Sequence, residues 1–394
     1  MEQVITSLLD NDLYKFTMMW FVLSLYPETN VTYSFNNRNK SMKFTKEARD
    51  EIERQINLME NLRLQDTEYD FIKNTIPFLP VTFRQYLAAF RFNPKQVHVW
   101  LDDDDQLQLT IAGKWRDTIL WEVPLMAIIS EVYFKMIDTD WNMNDQIGLA
   151  RDNARKLAYG GCKYADFGTR RRRNFDTQDI VVHEMKRYAE FVGTSNVYLA
   201  MKYGVRAIGT LAHELIQATA ALESMNRPNK YLMENWAKVY QGALGTMLPD
   251  TYGIDSFLKD FTLDKAKLWD SVRHDSGDPF VFTDKIIAHY KSLRIEPQLK
   301  TIIFSDGLDV EKAVKINEYC RGKIGCSFGI GTFFTSNFNK ESNVNEKSKP
   351  LNMVIKLRDV NGIPVVKLSD TPTKAIGDET MVKIMKHIHF GEQL

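Results

Sequence analysis

Four short polar clusters hold the residues best suited to chemistry. GTLAHE places His213 three residues after Thr210, and VRHDSGDP supplies Arg273, Asp275 and Asp278. FSDG supplies Asp306, and SFGIGT supplies Gly329, Gly331 and Thr332. Each cluster begins where a short apolar run stops and a helical pattern starts. That is how α/β enzymes present catalytic groups at the C-terminal ends of their strands. An imidazole held by an acceptor at one nitrogen can act as a nucleophile through the other. Small neighbours, Gly209, Thr210 and Ala212, leave room for a ligand against the backbone at His213. A zinc site of the HExxH kind is excluded, because Gln217 stands where the second histidine would be.

In RHDSGDP a turn before a helix needs one aspartate as cap, either Asp275 or Asp278, and a glycine to relieve the backbone. A cap does not account for Arg273. An arginine with two acids at a strand end suits a substrate carrying both hydroxyls and phosphate. Carboxylates accept from hydroxyls or hold Mg²⁺, and a guanidinium takes anionic oxygens. Gly329, Gly331 and Thr332 form either a backbone phosphate nest or a tight turn, without the GK[ST] ending of a P-loop. Asp306 is a turn carboxylate able to hold ribose hydroxyls. In DFGTRRRR, Phe167 can stack on a flat ring and Arg170 can meet an anion beside it. Arg173, later in the same run, is expected at solvent or at an interface. The kinase reading of DFG fails, because the glycine-rich loop, the VAIK-like lysine and the HRD loop are missing.

The elements that position these clusters fall into two regimes. Leu13 to Tyr26 is a mostly apolar helix, Val31, Tyr33 and Phe35 alternate as a strand, and Ile52, Ile56, Met59 and Leu62 recur at helical spacing. QVHVWL and LQLTI pair across DDDDQ as a hairpin, whose consecutive aspartates point apart and suit a solvated turn. From about Trp121 short apolar segments alternate with helices: KYADF, AEFVG, RAIG, GALGTML, KLWDSV, KTIIF and GCSF. This order indicates parallel strands with crossover helices. The uneven gaps favour a distorted α/β barrel, with a doubly wound open sheet as the alternative. Asn337 to Lys349 is a polar loop. NG, between LNMVIKLRD and PVVKLSD, marks a last hairpin that returns to the antiparallel small domain. The expected division is 1–120 for the N-terminal helical and β small-domain region, 121–345 for the barrel, and 346–394 for the C-terminal hairpin and helix.

Bulk properties narrow the function classes. The chain has 394 residues, 44% hydrophobic and 26% charged, with 51 basic and 51 acidic side chains. That balance favours neither nucleic acid nor an anionic membrane as partner. Cys162, Cys320 and Cys326 form an odd, sparse set suited to reduced thiols in a cytoplasmic protein. The start, MEQVITSLLDND, has no signal-peptide pattern, and the apolar runs are too short to span a bilayer.

In order along the chain, LLDNDLYKFTM, LRLQDTEYDFI, FRFNP, DFGTRRR, FVGTSN, GTLAHE, VRHDSGDP, FSDG, FGIGT and VVKLSD closely resemble the nicotinate phosphoribosyltransferase family, ATP-using enzymes of pyridine nucleotide salvage. The resemblance covers essentially the whole chain. It implies a type II phosphoribosyltransferase fold: a distorted α/β barrel with a smaller, mainly β domain. It implies attack of nicotinate on the anomeric carbon of 5-phosphoribosyl 1-pyrophosphate, giving nicotinate mononucleotide and pyrophosphate, the first step of NAD synthesis from nicotinate. By resemblance, Phe167 stacks on the pyridine ring, and Tyr14 covers its other face, contributed in related enzymes by the neighbouring subunit. That implies a homodimer with a shared active site. Arg170 and Arg273 hold anionic groups, Asp275 positions ribose and Mg²⁺, and Asp306 accepts from ribose hydroxyls. Gly329, Gly331 and Thr332 hold the 5-phosphate, and Thr210 lies in the substrate pocket. His213 is the histidine that ATP phosphorylates transiently, which couples ATP hydrolysis to the transfer.

Two alternatives are weighed. Nicotinamide phosphoribosyltransferase carries an aspartate where this chain has Ser195. A neutral serine beside Arg170 and Arg273 favours the acid over the amide. A non-enzymatic nucleotide-binding regulatory protein would have lost His213, Arg273 or Asp275, and all three are present.

Overall fold

The computed structural model describes residues 1–370 and 375–393. Within the expected C-terminal segment 346–394, positions 371–374 and 394 therefore lie outside the described residues. Chain order gives β1 (Asn30–Asn37), β2 (Val97–Leu101) and β3 (Leu107–Lys114). The barrel strands are β4 (Tyr164–Asp166), β5 (Phe191–Thr194), β6 (Thr246–Met247), β7 (Ser271–His274), β8 (Thr301–Phe304) and β9 (Gly325–Ile330). A small pair, β10 (Phe338–Asn339) and β11 (Lys347–Ser348), precedes β12 (Met353–Val360) and β13 (Ile363–Pro364).

The antiparallel sheet runs β13-β12-β1-β3-β2. Val31, Tyr33 and Phe35 are its buried face on β1, as their alternation requires. The β2–β3 hairpin pairs Val97 with Ile111, Val99 with Leu109 and Leu101 with Leu107. Asn361 and Gly362 have φ of 50° and 79°, the left-handed pair that a two-residue hairpin turn demands. That turn sends the chain end back, and β12 pairs along the length of β1. The two ends of the sequence thus build one sheet.

The second sheet is parallel, in the order β5-β4-β9-β8-β7-β6. Followed through the β4–β9 pairing, this is chain order bent into a ring. A doubly wound sheet would instead reverse at a switch point. The seam lies between β5 and β6. There Ala207 makes a single parallel bridge to Thr194, and the Thr210 hydroxyl reaches the Thr246 carbonyl at 3.4 Å. RAIG therefore contributes one bridge and not a full strand. KLWDSV is also only partly extended. Leu263–Leu268 is helical, burying Ala266 and then Trp269 one turn on, and the strand starts at Ser271.

The helix Leu13–Leu25 is apolar nearly all round because it is buried nearly all round. The arginine run beyond Phe167 is the main departure from expectation. Arg172 is fully buried and pairs twice with Asp10, both contacts 2.7 Å. Arg173, expected at solvent or an interface, is also fully buried. Its guanidinium lies 3.6 Å from the centroid of Phe134 and donates to the Ser348 hydroxyl and carbonyl at 2.8 and 3.1 Å. Trp141 and Phe338 complete an aromatic box around it. Ser348 is delivered by the β10–β11 pair, so the polar loop 337–349 folds back as a clasp on this cation. Burial pushes the Arg173 pKa down to about 9. The three cysteines are all free, and no helix among the described residues is long and apolar enough to cross a membrane.

Replacing Arg173 with alanine leaves a void among Phe134, Trp141 and Phe338 and removes the partner of Ser348. Arg173→Ala should destabilise the fold by about 3 kcal/mol. Equilibrium urea unfolding checks this: a midpoint equal to that of the unsubstituted protein would mean that the box contributes nothing.

Candidate active site

Because the barrel strands are parallel, the residues that follow them converge at one rim. Phe167 follows β4, Ser195 follows β5, Asp306 lies just beyond β8, and Gly331 and Thr332 follow β9. Arg273 is on β7 itself, and His213 opens the helix His213–Leu222. Two cavities meet at this rim, of about 590 and 930 Å³. Phe167, Arg170, His213, Arg273 and Asp275 line both and form their common wall. The smaller cavity adds Asp306, Gly329, Gly331 and Thr332, with the cations Arg38, Arg171, Lys356 and Lys367. The larger adds Asp12, Tyr14, Ser195, Arg206 and Thr210. Of the residues singled out in the sequence as candidates for chemistry, all but Asp278 line one or both chambers.

His213 is held through one ring nitrogen. Its Nε2 lies 2.8 Å from Asp250 Oδ1 and also 2.8 Å from Lys367 Nζ. These contacts suit different protonation states: Nε2–H donates to Asp250, whereas bare Nε2 accepts from the ammonium. Lys367 donates to Asp250 Oδ2 at 2.7 Å, and the Ser276 hydroxyl donates to the same oxygen at 2.6 Å. Burial lowers the His213 pKa, the Lys367 charge lowers it further, and Asp250 opposes both. The Asp250 carboxyl resists its own burial, because His213 and Lys367 hold it well below the usual range.

Asp275 sits on the other side of the imidazole, its Oδ2 3.7 Å from Nε2. Its Oδ1 accepts from Arg273 Nη2 at 2.8 Å and from the Ser305 hydroxyl at 2.7 Å. Burial would raise its pKa, but Arg273 and His213 hold it at about 2. Asp278 has the other task that the sequence allowed. It caps the helix Pro279–Ser292, accepting from the Phe280 and Val281 amides at 2.9 Å each. That leaves Asp275 free for the site.

His213, Asp250 and Asp275 each offer a ligand atom, all within 4.8 Å of one another. The Lys367 ammonium already bonds to two of the three. Asp250 already accepts from three donors, so the carboxylate with more capacity for a hard cation is Asp275, through Oδ2.

In the larger chamber Tyr14 lies in the cavity of its own chain, together with Phe167 and Arg170. Its hydroxyl is buried and has no hydrogen-bond partner among the described residues. Ser195 is not a free neutral wall: its hydroxyl donates to Asp12 Oδ1 at 2.7 Å, so a carboxyl stands directly behind it. Burial raises the Asp12 pKa, against hydrogen bonds and the charge of Arg170. Arg170 is partly exposed to the chamber and contacts Glu122 at 3.3 Å. Gly329 has a steric reason to be glycine: a Cβ there would lie 2.2 Å from the Phe167 ring. The close approach of that strand seats the ring against the barrel rim.

Asp250, Lys367, Arg38, Lys356 and Asp12 were not singled out from sequence. LPDTYG after the GTML strand segment carried the same strand-end acid signal as FSDG and could have yielded Asp250. Lys367 lies inside VVKLSD, but nothing in local spacing brings that segment to His213, 154 residues earlier.

Comparison with known proteins gives these features a family. The chain matches the model of the nicotinate phosphoribosyltransferase family over residues 162–392, and the N-terminal domain model of that family over 9–130. Nicotinate phosphoribosyltransferase of Methanosarcina mazei is 44% identical over 98% of both chains. Solved structures of the enzymes named nicotinate phosphoribosyltransferase from Porphyromonas gingivalis and Vibrio cholerae superpose with TM-scores of 0.93 each. They are 36% and 35% identical, covering 98% and 100% of this chain and 99% and 95% of theirs. The architecture is that of the type II phosphoribosyltransferases. Within that class, the chain belongs to the nicotinate phosphoribosyltransferase family.

The protonation of His213 is open to measurement. Its lowered pKa means that the imidazole stays neutral below the ordinary titration point near about 6.5. The folded protein then binds this proton less readily than the unfolded chain. The associated stability is present above about 6.5 and is lost as pH falls through the folded value. Lys367→Met removes one depressing charge and should move the His213 titration upward. Imidazole NMR across pH checks this; an unmoved or lowered midpoint would contradict it.

Proposed function

We propose that this chain makes nicotinate mononucleotide and pyrophosphate from nicotinate and 5-phosphoribosyl 1-pyrophosphate, with ATP hydrolysed through a phosphohistidine on His213. The observation that carries the reading is the common wall. Phe167, Arg273 and Asp275 separate a cation-lined chamber from an aromatic one, and His213 opens on both. A reaction joining a flat heteroaromatic acid to a sugar polyphosphate needs such a junction.

Nicotinate would lie between Tyr14 and Phe167, with its carboxylate at Arg170 and Thr210 beside it. The 5-phosphate would meet Gly331 and Thr332, where the first amides of the one-turn helix Thr332–Thr335 have no intrahelical partner. Gly329 would let the ring and the strand close on one another, and Asp306 would accept from the ribose hydroxyls. The leaving pyrophosphate would be held by Arg273, Arg38 and Lys356. Mg²⁺, bound by Asp275 together with substrate oxygens, would neutralise charge on the pyrophosphate. The pyridine nitrogen lone pair forms the bond to the anomeric carbon while the carbon–oxygen bond to pyrophosphate breaks. Little covalent work falls to the protein, so its task is orientation and charge stabilisation.

For the ATP step, Asp250 holds Nε2, and Nδ1 has no hydrogen bond among the described residues. Nδ1 would therefore attack the γ-phosphorus as ADP departs. Lys367, already at the imidazole, would meet the phosphoryl oxygens. Tyr14 and Phe167 line one cavity within a single chain, and the homodimer with a shared active site belongs to the same reading. The division into 1–120, 121–345 and 346–394 fits the same reading, since the clusters of the middle segment ring one rim.

Two outcomes test the proposal. Product analysis with nicotinate and nicotinamide, each with and without ATP, should give at least about a tenfold higher kcat/KM for nicotinate, roughly 1.4 kcal/mol in transition-state binding. Because Ser195 is already bonded to Asp12, Arg170 carries this preference, and equal values for the two substrates would sink the assignment. Incubation with ATP and Mg²⁺ should place an acid-labile phosphate on His213 at Nδ1. His213→Ala should abolish the label and the ATP stimulation. Mass spectrometry under non-acidic conditions locating phosphate on His183 or His274 instead would show that another histidine has the role.

A further inference from the structure

Lys15 is a fully buried ammonium set between two carboxylates. It contacts Glu122 at 2.5 Å and also pairs with Glu214. Each carboxylate has a second tie. Glu122 Oε1 receives Arg170 Nη1 at 3.3 Å, at the wall of the larger chamber. Glu214 Oε1 receives the Tyr33 hydroxyl at 3.0 Å and Trp115 Nε1 at 3.1 Å. Glu214 is also the residue after His213, in the first turn of the helix that carries the imidazole. An unbroken run of alternating charge, Arg170, Glu122, Lys15 and Glu214, thus leads from one chamber to the backbone of His213.

Nothing in the chemistry proposed above uses Lys15. Burying an ammonium and two carboxylates costs several kcal/mol per ion unless each is fully paired, so their charge balance is strict. Arg170, Glu122, Lys15 and Glu214 together sum to zero. An anionic ligand on Arg170 takes part of its guanidinium from Glu122. Glu122 then leans more heavily on Lys15, and the ammonium has less to offer Glu214.

We infer that Lys15 is a positioning residue that couples occupancy of the pyridine chamber to the placement of His213. The inference rests on the functional reading above, with nicotinate at Arg170 and ATP at His213. Coupling of this kind is reciprocal, so it is readable from binding alone.

The experiment is a thermodynamic cycle on the intact protein. Nicotinate affinity is measured by calorimetry with and without a non-hydrolysable ATP analogue and Mg²⁺, in the unsubstituted protein, Lys15→Met and Glu122→Gln. The unsubstituted protein should show a change of about fivefold or more between the two conditions. In Lys15→Met the ratio should fall to within about twofold of one. Mere loosening of the fold weakens both arms together and leaves their ratio intact. Where Lys15→Met does not fold, Glu122→Gln, which keeps the side-chain shape and leaves Lys15 paired with Glu214, should reduce the ratio likewise. An undiminished ratio in the folded variants, or no coupling in the unsubstituted protein, would overturn the role of Lys15 while leaving the functional reading standing. Absence of nicotinate binding to the unsubstituted protein would overturn both.

Discussion

The site depends on one buried carboxylate. Asp250 is fully excluded from solvent and accepts from His213, Ser276 and Lys367. Those donors come from three separate stretches: the start of a barrel helix, the turn after β7, and the chain beyond β13. An isolated carboxylate could not be buried this way. The fold must therefore bring all three donors to one point, and once it does the imidazole is fixed in position. Asp275 repeats the pattern on the other side of His213 with Arg273 and Ser305.

Charge of opposite sign surrounds this pair. Arg38, Arg171, Lys356 and Lys367 line one chamber, and burial pushes the Lys356 pKa down to about 7, with Lys367 and Arg38 acting in the same direction. A cavity lined by crowded cations is poised for a polyanion, because the ligand relieves their repulsion as it binds. Phe167 and Tyr14 give the neighbouring chamber aromatic surface of the opposite character.

Much of this was legible in the sequence for a simple reason. Strand-end residues in a parallel barrel are displayed by local pattern: an apolar run, then a polar cluster, then a helix. Phe167, Arg273, Asp275, Asp306 and Thr332 all followed that rule. Strand lengths did not, because β6 has two residues and RAIG contributes one bridge, too little to show an alternation. Arg173 defeated the charge-run rule because its burial depends on Phe134, Trp141, Phe338 and Ser348, none of which is adjacent in sequence. Lys367 and Asp12 were hidden for the same reason. Their roles come from contacts across 154 and 183 residues, which no periodicity records.

The insertion of β12 beside β1 has a temporal consequence. During synthesis the barrel strands and His213 emerge before Met353–Val360 and Lys367 exist. Until then β1 has an open edge, Asp250 lacks its ammonium partner, and the cationic chamber lacks two of its lysines. A nascent chain short of this segment lacks part of the lining of that chamber. The same segment thus closes the exposed sheet edge and brings an ammonium to the imidazole, so the last stretch to be synthesised completes both.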